Sequence, residues 1–180
     1  MDFFELVRRR CSIRRYTSDP VGDEHLAAIL EATRQAPSAG NRQAYEVIVV
    51  RDAARRSALA QAALGQTFLT QAPLVLAFVS HPARSAQRYG ERGEELYAGQ
   101  DTAIAATYAQ LAAHALGLGT VWVGAFDDDE VDRILEVHEG MRTTALLPVG
   151  HIQQEPKATP RRALQDLVRE ETLTGPPWNG

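Results

Sequence analysis

Cysteine is almost missing from this chain: Cys11 stands alone in 180 residues. A disulfide framework within the chain is therefore excluded, as is any metal site built on several thiolates. Such scarcity suits a reducing cytoplasm, and a cytoplasmic protein is expected. The five histidines, His25, His81, His114, His138 and His151, show no metal-ligand spacing. No Gly-x-Ser-x-Gly, P-loop or Gly-x-Gly-x-x-Gly occurs. Positive charge is not in excess either; the net charge of −4 excludes nucleic acid as an electrostatic partner of the whole chain. The first five residues are acidic and carry no apolar stretch of signal-peptide length. Residues 102–126 lack charge apart from a proton that His114 can take up. Their length would allow a membrane span. However, Gly117, Gly119 and Gly124 interrupt the run, and Gln110 and His114 lie inside it. A buried helix followed by a buried strand is the better reading, and no membrane partner is expected.

What is present is an ordinary core-forming composition, 44% apolar and 23% charged, enough for a single domain over 1–180. Helices are predicted over residues 2–9, from Gly22-Asp23 to about 36 with Asp23 as N-cap, and over 52–64. A fourth, apolar on nearly every face and capped by Asp101, is predicted over 101–116. Asp127 and Glu130 have capping-box spacing and open another. Strands are expected over 45–50, 74–79, 120–124 and 143–149. The polar stretch 81–99 reads as a surface excursion or lid, 161–170 as a short helix, and 172–180 as a Pro/Gly-rich tail. Mixed helices and strands around one apolar helix indicate an α+β fold.

Positive charge is concentrated at Arg8, Arg9, Arg10, Arg14 and Arg15. On charge alone this cluster reads first as a solvated face. Arg10, Ser12 and Arg14 alternate, however, and in an extended segment they would share one side. Two guanidinium forks and a hydroxyl would then converge on a phosphate. A helix running on through Arg14 would disperse them. Ser38, Asn41 and Gln43 follow a helix, with Pro37 and Gly40 imposing an irregular backbone. This is either an ordinary helix-to-strand turn or a source of amide donors and acceptors for a flat ring.

The order of motifs carries more. Arg-x-Ser-x-Arg at 10–14 is followed by Ala36-Pro37-Ser38-Ala39-Gly40-Asn41-Arg42-Gln43. Then come Ala115-Leu116-Gly117-Leu118-Gly119-Thr120-Val121-Trp122-Val123-Gly124, Leu147-Pro148-Val149-Gly150 and Arg161-Arg162. From about residue 4 to 168 the chain resembles the FMN-dependent nitroreductase family. The resemblance implies a nitroreductase-like α+β fold, with a largely antiparallel central sheet flanked by helices. It also implies an intertwined homodimer with FMN at the interface. By position, Arg10, Ser12 and Arg14 would contact phosphate and ribityl, and Arg161, with Arg162 as its neighbour, would close on the phosphate. Pro37, Ser38, Ala39, Asn41 and Gln43 would border the flavin, in part that of the partner subunit. Gly124 and Ala125 would lie beside its reactive face.

The implied reaction is ping-pong: NADH or NADPH reduces FMN, and a nitroaromatic, quinone or similar small acceptor reoxidises it. Other flavin chemistry (dehydrogenation, dehalogenation, flavin fragmentation), a flavin-binding module without turnover and an anion-binding adaptor are the rivals. The chain departs from the family pattern at Ala44-Tyr45, where many members have Pro-Trp, and at Gly124-Ala125, where many have Glu-Gly. Residues 81–99 replace a longer helical excursion, and the tail is the segment that would wrap a partner.

Overall fold

The first helix, α1 (Phe3–Arg9), starts where Asp2 Oδ1 accepts the Glu5 N–H at 2.9 Å. It ends before Arg10, whose φ of −56° and ψ of 127° are not helical. A computed structural model describes residues 2–154 and 159–178. Helix α2 (Asp23–Arg34) buries Leu26, Ile29 and Thr33 at helical spacing; its N-cap is Gly22, not Asp23, which is already the first helical residue. Strand β1 (Tyr45–Val50) follows, then α3 (Ala53–Ala62), capped by Asp52 through the Arg55 N–H at 2.7 Å. A single turn, α4 (Phe68–Gln71), precedes β2 (Leu74–Ser80), which is buried throughout.

The polar stretch 81–99 is helical almost from end to end. Helix α5 (Pro82–Arg92) passes into a π-helical turn (Gly93–Tyr97) and then into α6 (Ala98–Ala115). Gly90 kinks α5 at φ 56°, ψ −144°, a backbone conformation open to glycine. Next come β3 (Leu118–Thr120), α7 (Asp128–Leu135), β4 (Arg142–His151) and α8 (Leu164–Leu167). Asp127 caps α7 by accepting the Glu130 N–H at 3.0 Å, as its spacing predicts.

The sheet order is β1-β2-β4-β3, antiparallel throughout, with Leu76 opposite Leu147 and Gly119 opposite Gly150. Alternation along β2 feeds two cores. Leu74, Leu76 and Phe78 meet Ile29 of α2 and Ala105, Ala109 and Ala113 of α6. Val75 and Ala77 meet Leu59 of α3 and Val131 of α7. Full burial of a side chain such as Ile29 stabilises by about 1.5–3 kcal/mol. Helices thus cover both sheet faces, which is the α+β architecture expected.

Three boundaries moved. Asp101 does not cap α6; it lies inside the helix, because the π turn feeds α6 from Ala98 onward. The third strand ends at Thr120, and beyond it only Val123 pairs with β4, at Leu146. The helix predicted over 161–170 shrinks to α8. Among the described residues, the hydrogen bonds of 159–178 stay within that segment, as between Trp178 N–H and Val168 O at 3.2 Å.

Candidate functional site

The basic segment is extended. Ser12 forms a parallel bridge with Thr120 of β3, and the Ile13 N–H donates to Thr120 O at 2.9 Å. Ile13 is 2% exposed, whereas Ser12 and Arg14 are exposed and Arg10 half-buried. Burial thus alternates over Ser12, Ile13 and Arg14, placing Ser12 and Arg14 opposite Ile13. Gly119 makes this seat possible: a Cβ there would lie 2.7 Å from Ile13 Cγ2. Beneath it, Tyr16 Oη donates to Ile13 O at 2.6 Å. Burial pushes the Tyr16 phenol up, against a smaller opposing effect of Arg14, so it stays a donor. The side chains of Arg10, Ser12 and Arg14 make no hydrogen bond or ion pair among the described residues. Their donors match the bidentate geometry of a phosphate.

The second element is the turn before β1, a 3-10 turn over Ala39–Asn41. Gly40, Asn41 and Gln43 have φ of 53°, 56° and 48°. A non-glycine residue in this region costs about 1–2 kcal/mol, so the surroundings must enforce it. They do so from three directions. Ser38 Oγ accepts the Gln43 N–H at 3.0 Å. Asp101 Oδ1, from α6, accepts the Ala39 N–H at 2.8 Å. Arg84 Nη1, from α5, donates to Gln43 O at 2.8 Å and Tyr45 O at 3.1 Å. Pro37 and Asn41 are exposed; Ser38, Ala39 and Gln43 are half-buried. Burial and the nearby Asp101 both push the Tyr45 phenol up.

Past β3, Gly124 and Ala125 are exposed. Val123 and Leu146 exchange backbone hydrogen bonds at 3.0 and 2.9 Å, which fixes the approach to them. Gln66 Nε2 donates to Ala125 O at 3.0 Å and Ala63 O at 2.9 Å, and so holds the Ala125–Phe126 peptide. Because Ser12 bridges Thr120, the basic segment and the Gly124–Ala125 stretch share the β3 edge. The turn leads into β1, the opposite edge. Three strand spacings, roughly 14 Å, separate the two edges within one chain. Arg161 and Arg162 are exposed, and no hydrogen bond ties either to residues 10–14; Arg161 Nη1 donates to Thr159 O at 3.3 Å.

Sequence reasoning missed Asp101, Arg84 and Gln66. Asp101 did carry a signal, as the lone Asp, Glu, Lys or Arg of an eighteen-residue helix. Arg84 and Gln66 gave none, since both act on backbone carbonyls distant in sequence.

One edge of this antiparallel sheet thus carries the Arg10-Ser12-Arg14 segment, and the other leads into the Ala39–Asn41 turn. The chain belongs to the nitroreductase family, whose model matches residues 7–68 and 60–151. It is similar to the NADH dehydrogenase of Thermus thermophilus, with 34% identity over 187 aligned positions, covering 89% of this chain and 91% of that one. It is also similar to the FMN reductase [NAD(P)H] of Bacillus subtilis, at 33% identity over 89% of this chain and 70% of that one. Among solved structures it superposes on the NADPH:FMN oxidoreductase of Vibrio harveyi complexed with NAD+, with a TM-score of 0.87 and 28% identity. That match covers 94% of this chain and 76% of the other. No described helix is long and apolar enough to cross a membrane.

Proposed function

We propose that the protein is a cytoplasmic, FMN-dependent oxidoreductase. It takes a hydride from NADH or NADPH and passes reducing equivalents to a small acceptor such as a nitroaromatic or quinone. The observation that carries this reading is the extended Arg10-x-Ser12-x-Arg14 edge, whose side-chain donors bond to none of the described residues. FMN, when bound, supplies the hydride chemistry itself. Arg10 and Arg14 neutralise its phosphate, and the Ser12 hydroxyl adds a donor. Arg161, beside Arg162, closes on the same phosphate. Pro37 and Ala39 shape the turn, while Ser38, Asn41 and Gln43 offer amide and hydroxyl groups to the ring edge. The backbone at Gly124 and Ala125 borders the reactive edge, with Gln66 holding its carbonyl in place. Hydride transfer needs no side-chain acid or base.

The two halves of the site lie on opposite sheet edges. That separation supports a homodimer in which the turn of one protomer meets the basic edge of its partner. The Bacillus subtilis and Vibrio harveyi proteins, named for FMN and NAD(P)H, support the cofactor and donor.

The test is the visible spectrum of the purified protein before and after anaerobic NADH and NADPH. A flavin spectrum that either donor bleaches is expected. A yellow protein that neither bleaches would leave a binding module, and activity without NAD(P)H would favour other flavin chemistry. Arg10→Ala with Arg14→Ala is expected to lower flavin occupancy at least tenfold with the fold intact. A double variant that retains full flavin would overturn the phosphate assignment.

A further inference from the structure

We infer that Arg88 and Arg92, laid over the rings of Tyr89 and Tyr97 beside the Gly40–Asn41 turn, recognise the phosphate groups of the dihydronicotinamide dinucleotide donor. The inference rests on the oxidoreductase reading above and names the donor's contact with this chain.

Arg84, Arg88 and Arg92 recur every four residues along α5. Arg84 is committed to structure, bonded to Gln43 O, Tyr45 O and the Glu46 carboxylate. Arg88 and Arg92 are exposed, and neither pairs with a carboxylate among the described residues. Both are instead laid on aromatic rings: Arg88 Cζ is 5.5 Å from the Tyr89 centroid and Arg92 Cζ 5.4 Å from that of Tyr97. Arg92 Nε also donates to Tyr97 Oη at 2.9 Å. The two rings meet edge to face, with centroids 5.1 Å apart at 85°. Gly93 locks the group, since a Cβ there would lie 2.7 Å from Ser85 O and 2.9 Å from Tyr89 Cβ.

The patch also touches the turn. A Cβ on Gly40 would lie 3.1 Å from both Cδ and Cζ of Arg88. Arg88 therefore flanks the turn assigned above to the flavin edge, and Arg92 continues the patch away from it. Glu91, Glu94 and Glu95 are exposed on the same segment, so its charge does not sum to a positive field. Recognition must come from the two forks. A guanidinium held on a ring keeps its terminal Nη donors directed to oxygens of a phosphate, even where, as in Arg92, Nε is bonded to a tyrosine hydroxyl. A neutral nitroaromatic or quinone offers only uncharged acceptor oxygens, whereas NADH and NADPH each carry a doubly charged pyrophosphate.

The test is stopped-flow reduction of the flavin-loaded protein, anaerobic and without acceptor. Wild type and Arg88→Ala/Arg92→Ala are each mixed with NADH, NADPH and phosphate-free 1-benzyl-1,4-dihydronicotinamide. The expected result is that the second-order reduction rate constant falls about tenfold or more for NADH and NADPH. With the benzyl donor it is expected to change less than about twofold, at equal flavin occupancy and melting temperature. Equal losses with all three donors, or no loss with the dinucleotides, would overturn the inference. A wild-type flavoprotein that none of the donors reduces would overturn the oxidoreductase reading, and this site with it.

Discussion

Asp101 is 2% exposed, and its Oδ1 accepts the Ala39 N–H. Its Oδ2 is buried without a hydrogen-bond partner among the described residues. A carboxylate so placed is costly unless its one contact matters, and that contact shapes the turn. Asp101→Ala leaves the Ala39 N–H without its acceptor. The expected loss is about 1.5–3 kcal/mol, lowering the melting temperature by roughly 2–4 °C per kcal/mol. Asp101→Asn keeps an acceptor and should lose less, which urea titration of the three proteins would measure. The sequence marks Asp101 as unusual but assigns it to a helix cap, because the continuous helical path through Gly93–Tyr97 joins it to an earlier element.

At the scale of elements, the meeting of residues 10–14 with β3 decides whether the three phosphate donors share a side. Gly119 leaves room for Ile13, and Thr120 O fixes its backbone. Gly119→Ala puts a methyl within 2.7 Å of Ile13 Cγ2 and 2.8 Å of its Cβ. Overpacking of this kind costs about 1–3 kcal/mol. Because Ile13 anchors the segment, flavin occupancy is expected to fall even where the protein remains folded, as the ratio of flavin to protein absorbance would report. Full occupancy together with reduced stability would detach the segment's seat from cofactor binding. The alternation of Arg10, Ser12 and Arg14 was legible in the sequence, and so were β1, β2, the helix starts near Asp2 and Asp52 and the cap at Asp127. Helix α5 was not, since it has no apolar stripe: Ser85 is its buried residue, and Gly90 interrupts its helical backbone.

Across the whole molecule, one edge of the sheet holds the basic segment and the other the turn. The described part of the C-terminal segment adds to this picture. It keeps its hydrogen bonds to itself and exposes Leu164, Leu167, Leu173 and Trp178, with Leu173 91% exposed. Helix α1 likewise exposes Phe3, Phe4 and Val7. A second copy of the chain would cover these apolar side chains if they meet in one patch. Sedimentation velocity is expected to give a species of two chains. Leu167→Ser combined with Trp178→Ser should shift it toward one chain and release flavin in parallel. A monomer that holds flavin at full occupancy would place the site within a single protomer.

The sequence by itself determined what depends on near neighbours: helix caps four residues wide, the two-residue alternation of the basic segment, buried strands, and the ordered motifs that resemble the family. These follow from backbone periodicity and from side chains acting on adjacent peptide groups. Only the tertiary structure decided that Asp101 and Arg84 clamp the turn from two helices, and that Gln66 holds the Ala125 carbonyl. It also placed the turn and the basic segment on opposite sheet edges. Such contacts join residues tens of positions apart, so they exist only once the strand order is set.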